Sequence, residues 1–359
     1  MDAGQVRSRG MKRLLTLVAV IPLLAAACGT AASPSPSAAA PTTGSSAPAP
    51  SASEVTKTLE LAYISFAVAN SYDAPMLAAA QASASAGNAK ITVFDGNLDP
   101  ATQTKQLQDA ISSGKFDGII LQPVFGPSLV AGAQEAIEAG IAIGNIDQIL
   151  GADNTTAEPQ VEGQAVNVVF VPSELGRKIG ELVVEACGDA DPCNVGYIYS
   201  VKAAALDTTL REAFNQATSA NPAIKVVAEG ESFYTTALGL KASQDMLQAH
   251  PDLTVITGAD QAITGAVQAV AAVNLQSQIK LVGYGGGAIA FQGIASGERY
   301  GTVMQAPATE GRLGVEMLIK AIRTGEAAPG VDVLADLPDG GVVTKENVET
   351  FLPLAEWPG

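Results

Sequence analysis

The strongest constraint on this chain is an alternation that begins at Leu59: short runs rich in aliphatic and β-branched residues, each followed by a longer helical pattern. Strands are expected at 59–67, 90–94, 118–122 and 141–146, with helices at 72–86, 101–113 and 127–139 between them. The second of these helices starts behind Asp99-Pro100, an acidic cap followed by proline. A polar stretch at 148–167, containing Pro159 and Gly163, interrupts the pattern. It then resumes with strands at 168–171, 195–199, 225–228, 254–257, 280–284 and 302–305. Helices at 174–186, 204–220, 236–248, 261–273, 288–295 and 307–323 accompany them. Strand–helix–strand units cross over right-handed and build parallel sheets. Two runs of this length hold too many strands for one small sheet, so the expected fold is α/β, with two doubly wound parallel-sheet lobes.

The N-terminal part reads differently. Arg7, Arg9, Lys12 and Arg13 precede an uncharged apolar run at 14–27. That run is shorter than the ~20 residues of a membrane-spanning helix and has the length and flanks of a secretory signal peptide. Met1 or Met11 could start it, because Met-Lys-Arg is a sufficient basic leader. The run closes on Leu24-Ala25-Ala26-Ala27-Cys28-Gly29, which resembles the bacterial lipobox, in which the cysteine is lipidated and becomes the mature N-terminus. Ala25 departs from that pattern, since leucine is usual three residues before the cysteine. From Gly29 to Ser53 the chain is Ala, Ser, Pro, Thr and Gly, without a charge or a large apolar side chain. Such a segment cannot bury enough surface to offset its ordering entropy, and behind a lipidated Cys28 it would serve as a tether. The expected organisation is therefore a signal peptide with lipobox at 1–28 and a linker at 29–57.

With Cys28 assigned to the anchor, Cys187 and Cys193 remain, in Cys-Gly-Asp-Ala-Asp-Pro-Cys. A tight turn and an oxidising exterior favour a disulfide between them. The rival reading, a metal or redox pair, lacks ligands, because His250 is the sole histidine; no metal is expected. A formal net charge of −16 argues against nucleic acid as a partner. Gly285-Gly286-Gly287 lacks the spacing and the Lys-Ser of a phosphate loop and reads as a tight turn.

Ligands of open parallel sheets bind beyond the carboxyl ends of the strands. Those ends carry Asn70, Tyr72, Asp147, Gln148, Tyr199-Ser200, Ala259-Asp260, Tyr284-Gly285 and Gln305, a mixture of amides, carboxylates and rings suited to hydroxyl-rich solutes. At this point, from about Leu59 to about Leu334, the chain resembles the ribose-type branch of periplasmic sugar-binding proteins (type I). The segments that carry the resemblance are Ile141-Ala142-Ile143-Gly144-Asn145-Ile146-Asp147, Ala249-His250-Pro251-Asp252, Leu281-Val282-Gly283-Tyr284-Gly285-Gly286 and Thr302-Val303-Met304-Gln305-Ala306-Pro307. The resemblance implies a three-crossing hinge near Pro172, Gln305 and Leu334. It sets an N-terminal lobe of 58–172 plus 306–334, a C-terminal lobe of 173–305, and a segment at 335–359 that returns across the hinge.

Carried over position by position, Asn70 and Tyr72 match the polar and aromatic positions after the first strand, Asp147 the acid that grips hydroxyls, and Gln305 a glutamine near the hinge. Phe233 or Tyr234 matches a stacking aromatic of the second lobe, and Asp260 is expected to reach the solute on closure. Departures are Gln148 and Thr208 or Asp207 where arginines are common, Ala259 for an asparagine, and Gly285 for an aspartate. The implied function is an extracytoplasmic, lipid-anchored solute-binding protein that closes on a sugar-like ligand and delivers it to an ABC permease with its ATPase, without a cofactor. The alternatives are a sensor lipoprotein or a carrier of a nucleoside, polyol or amino acid. No Gly-x-Ser-x-Gly elbow or free cysteine pairs with the lone histidine, so an enzyme is not expected.

Overall fold

The computed structural model describes residues 57–359; the signal peptide, Cys28 and nearly all of the linker lie outside the described residues. Its first part runs β1 (Leu59–Ser65), α1 (Asp73–Ala86), β2 (Ala89–Asp95), α2 (Pro100–Ser113), β3 (Gly118–Leu121), α3 (Gly126–Glu138), β4 (Ala142–Asp147) and β5 (Val166–Val169). Next come α4 (Pro172–Cys187), β6 (Cys193–Tyr199), α5 (Ala205–Thr218), β7 (Ile224–Glu231), α6 (Thr236–Ala249) and β8 (Val255–Ala259). They are followed by α7 (Asp260–Ala272), β9 (Lys280–Gly285), α8 (Ala288–Ser296) and β10 (Gly301–Met304). The chain ends through α9 (Pro307–Thr324), β11 (Val331–Asp332), β12 (Val342–Thr344) and α10 (Val348–Phe351).

These elements form two six-stranded sheets, ordered β11-β5-β4-β3-β1-β2 and β12-β10-β9-β8-β6-β7. Every pairing is parallel except β10 with β12. The chain therefore passes between sheets three times: from β5 into α4, from β10 into α9, and from β11 to β12. Central strands are buried on both faces, so β3 reads as an unbroken Gly-Ile-Ile-Leu rather than an alternation. One face of the first sheet is covered through Leu107, Leu129 and Ala133 of α2 and α3; the other is covered through Met76, Ala80 and Leu318 of α1 and α9. In the second sheet α6 and α7 supply Met246, Ile263 and Ala266 to one face, and α4 and α5 supply Ile179, Leu182 and Phe214 to the other.

Local sequence explains most boundaries. The Asp99 carboxylate accepts from the Ala101 amide at 2.9 Å with Pro100 opening α2, and Gly114 closes that helix at φ 60°. At Gly176 of α4 a side chain would meet the Leu210 carbonyl at 2.5 Å, so glycine allows α4 and α5 to approach closely. Cys187 and Cys193 are joined in a disulfide that ties the end of α4 to the start of β6. The polar stretch before β5 proves well packed: Ile149, Leu150 and Val161 are buried. Sequence placed β5 two residues late because Asn167 looked like loop. Its side chain instead sits inside the sheet region, accepting from Asn145 at 2.9 Å and Gln164 at 3.0 Å and donating to the Ala157 carbonyl.

Candidate functional site

The carboxyl ends of β1, β3 and β4 converge on one rim of the first sheet. β1 delivers Phe66, β3 leads to Gln122, and β4 ends on Asp147, while the turn into α1 supplies Asn70, Tyr72 and Asp73. Gln122 organises this rim. Its Nε2 donates to Asp73 Oδ1 and, at 3.1 Å, to Asp147 Oδ2, so one amide nitrogen holds two carboxylates side by side. Its Oε1 accepts from the Phe66 amide at 3.1 Å. Behind it, Gln103 donates to the carbonyls of Ser65 at 2.8 Å and Gln122 at 2.7 Å, fixing both strand ends. Asn70 Oδ1 accepts from the Tyr72 amide at 2.8 Å, shaping the turn that leads into α1. Asp147 adopts a left-handed conformation, φ 68°, a strained choice for a residue with a Cβ and one that clusters at functional sites.

Electrostatically this rim is unusual. Asp73 and Asp147 are 3 % and 4 % exposed, and Glu310, in the first turn of α9, is 0 % exposed with no hydrogen-bond partner on either oxygen. Burial pushes the Asp147 carboxyl up to about 7, against the lowering effect of the Gln122 amide. Asp73 is raised well above the carboxylate range by burial and then by repulsion from Asp147, with Gln122 opposing. Glu310 is raised by burial and then by Asp147, Glu356 and Asp73. The hydroxyls of Tyr63 and Tyr72 are likewise buried without a partner.

The facing rim belongs to the second sheet and the C-terminal tail. It presents Tyr234, Ala259, Gln261, Tyr284 and Gly285, with Gln305 at the crossing into α9. The Tyr284 hydroxyl lies 2.7 Å from Ser200 Oγ. The buried Trp357 donates its indole N–H to the Gly285 carbonyl at 3.0 Å and meets the Tyr72 ring edge-on at 5.5 Å between centroids. A side chain at Gly285 would strike the Trp357 ring at 2.7 Å, and φ there is 129°. The Gly285 departure thus makes room for a ring from the tail. Glu356 accepts from the Thr309 amide at 2.9 Å and from its hydroxyl at 2.5 Å, so the tail also grips α9. Phe66 and Tyr234 meet edge-on across the gap at 6.1 Å. Together the rims surround a narrow cavity, partly open to solvent, and none of its lining residues is Lys, Arg or His.

Of the residues singled out from sequence, Asn70, Tyr72, Asp147, Gln148, Tyr234 and Gln305 line this one cavity. Two do not. Asp260 is fully buried behind the rim: its carboxylate accepts from the Gly286 amide at 2.7 Å and Thr302 Oγ1 at 2.9 Å, and pairs with buried Arg299 at 3.2 Å. It fastens β9, β10 and α7 together and has nothing left to offer a solute. Phe233 is 43 % exposed and lines instead a neighbouring pocket that shares Phe66, Gln148, Leu206 and Tyr234 with this one. Phe233 and Tyr234 both take left-handed backbones, φ 47° and 54°, and this kinked pair leaves Tyr234 on the cavity and Phe233 outside it. Asp207, which stands where an arginine was expected to be common, accepts from the amides of Ser200 at 2.6 Å and Val201 at 3.2 Å. The strand-end segments ending in Asp73 and starting at Gln122 stood out in the sequence without an assigned role, while Phe66, Glu310 and Trp357 were missed. For Trp357 a signal existed: it is the chain's one tryptophan, set in the tail expected to return across the hinge. Among the described residues no group of side chains could hold a metal ion.

Two parallel-sheet lobes joined by three crossings, with a cavity at the facing carboxyl ends of their strands, define a two-lobed binding protein. The chain belongs to the periplasmic binding protein domain family, whose profile matches residues 61–327. It is 27 % identical over 229 residues to the D-ribose/D-allose-binding protein of Pseudomonas aeruginosa, covering 62 % of this chain and 68 % of that one. It is 26 % identical over 229 residues to the D-allose-binding periplasmic protein of Escherichia coli, covering 62 % and 71 %. Among solved structures, an ABC transporter solute-binding protein from Mycobacterium smegmatis with bound glycerol superposes with a TM-score of 0.70 at 26 % identity, over 84 % of this chain and 100 % of that one. The family is one of solute-binding proteins, and no helix among the described residues is long and apolar enough to cross a membrane.

Proposed function

We propose that this chain is an extracytoplasmic solute-binding lipoprotein, anchored through Cys28, that captures a small hydroxylated solute of sugar or polyol type and delivers it to an ABC permease and its ATPase. The single observation that carries the reading is the cavity between the rims, where buried carboxyl and amide groups of the first lobe face rings of the second. Relatives named for ribose and allose, and a structural neighbour holding glycerol, support hydroxylated solutes as the class. On this reading the lobes are 58–172 plus 306–334 and 173–305, the tail at 335–359 returns across the hinge, and Asn70, Tyr72, Asp147, Gln148 and Gln305 contact the solute. Tyr234 then adds its contact only on closure. A solute shifts an open–closed equilibrium only through such differential contacts. Micromolar affinity corresponds to about −8 kcal/mol, ample to offset closure.

A thermal-shift panel of sugars, polyols, nucleosides and amino acids on the full chain tests this. The expected result is a rise in Tm with hydroxylated members, abolished by Asp147→Ala. A rise with nucleosides or amino acids alone would contradict the solute class, and an undiminished rise in the variant would contradict the site.

A further inference from the structure

The cavity contains an imbalance that a neutral solute leaves uncorrected. Asp73 and Asp147 share the single Gln122 amide nitrogen, and Glu310 lies buried close behind without one hydrogen-bond partner. No cationic side chain lines the space. The buried cation of the opposite lobe, Arg299, is committed to Asp260 and to Thr264 Oγ1 at 2.7 Å. Keeping carboxylates ionised here without a counter-charge costs several kcal/mol per group, so burial pushes Asp73, Asp147 and Glu310 toward their neutral forms, and only a positive charge beside them would let them ionise. Meanwhile six rings line the cavity: Phe66, Tyr72, Phe170, Tyr234, Tyr284 and Trp357. The faces of aromatic rings attract cations, most strongly where water is excluded. Acids on one wall and rings on the others form a box whose missing element is a positive charge.

We propose that the solute of this cavity is a small hydroxylated amine, of the amino-sugar or amino-polyol class, whose ammonium group sits between Asp73 and Asp147. The inference rests on the function proposed above and narrows it. The ammonium donates to both carboxylates, which are held ionised by its charge, while the hydroxyls of the solute meet Asn70, Gln148 and Gln305, and the rings cover its carbon skeleton. The Tyr72 hydroxyl, buried with no hydrogen-bond partner among the described residues, is one more group available to the solute.

Calorimetric titration of the full chain with matched pairs tests the idea: D-glucose with D-glucosamine, D-galactose with D-galactosamine, D-sorbitol with 1-amino-1-deoxy-D-sorbitol, and myo-inositol with an inosamine. N-acetyl-D-glucosamine serves as the uncharged control for bulk. The expected result is that, in the pair that binds best, the amine has a Kd at least tenfold below its hydroxyl counterpart, and that N-acetylation removes the gain. Asp73→Asn and Asp147→Asn keep side-chain shape, and each is expected to weaken the amine at least tenfold more than the neutral member. Neutral members binding as tightly as their amines would overturn the inference and leave the proposed function standing, as would equal losses for both members in the variants. Binding by no member of either kind would overturn the two readings together.

Discussion

The two rims of the cavity are built from the same parts and use their acids in opposite ways. Each sheet ends a central strand on an aspartate: β4 on Asp147, and β8 where it passes into α7 at Asp260. In the second lobe Asp260 is neutralised by Arg299 and saturated by Thr302 and the Gly286 amide. Asp207 there caps two backbone amides. In the first lobe Asp147, Asp73 and Glu310 have only the Gln122 amide among them. An acid at a strand end is thus a structural clamp where a cation reaches it, as at Asp260, and stays unpaired by charge where none does, as at Asp147. On the proposed function, the first lobe would read the polar features of the solute, while both lobes contribute rings, Phe66, Tyr72 and Phe170 from the first and Tyr234 and Tyr284 from the second.

The largest expected effect breaks the clamp. Arg299→Ala strands a buried carboxylate and should cost about 3–5 kcal/mol in urea unfolding. Asp147→Asn at the same pH should cost the ligand-free fold nothing; equal losses in the two variants would erase the distinction between rims.

Next in size is a pH dependence peculiar to the first rim. The folded-state pKa of Asp147 is raised to about 7, so the folded protein holds its proton where the unfolded chain has lost it. Its stabilising contribution is complete below the unfolded value near 3.8 and is lost as pH rises through about 7. Asp73 and Glu310 act in the same direction. Ligand-free stability should fall by roughly 2–4 kcal/mol across that window on account of Asp147, and Asp147→Asn should flatten the slope. A slope unchanged in the variant would place the titration elsewhere.

The disulfide lies at the far end of the second lobe from the cavity. Replacing Cys187 and Cys193 together by serine should lower stability by about 2 kcal/mol, as expected for a short loop, while solute affinity stays unchanged. A matching loss of affinity would show that the second lobe is not the independent scaffold described. The smallest effect separates neighbours: Tyr234→Ala should weaken binding about tenfold, or about 1.4 kcal/mol, and Phe233→Ala by less than twofold. Reversed magnitudes would place the stacking ring wrongly.

The alternation of elements was legible because parallel strands buried on both faces write themselves as continuous apolar runs, as in β3. Asp147 was legible for a related reason, as a polar residue ending such a run. The same rule misassigned Asp260, since the difference between the two aspartates is Arg299, which arrives 39 residues later and only through the folded chain. Asp73 and Glu310 read as ordinary first-turn acids of α1 and α9, favourable to a helix dipole whatever they face. Trp357 reaches Gly285 across 72 residues, a contact no local pattern encodes. Helix and strand follow from short-range patterning; which acids stay unpaired is decided by long-range packing.

Everything proposed for the function requires that the two rims close upon the solute. Solution X-ray scattering of the full chain, without and with saturating amounts of the solute identified by the thermal-shift panel, measures this directly. The radius of gyration should fall on binding, and the fall should be absent in Asp147→Ala at the same solute concentration. Calorimetrically verified binding with an unchanged radius of gyration would contradict capture by closure.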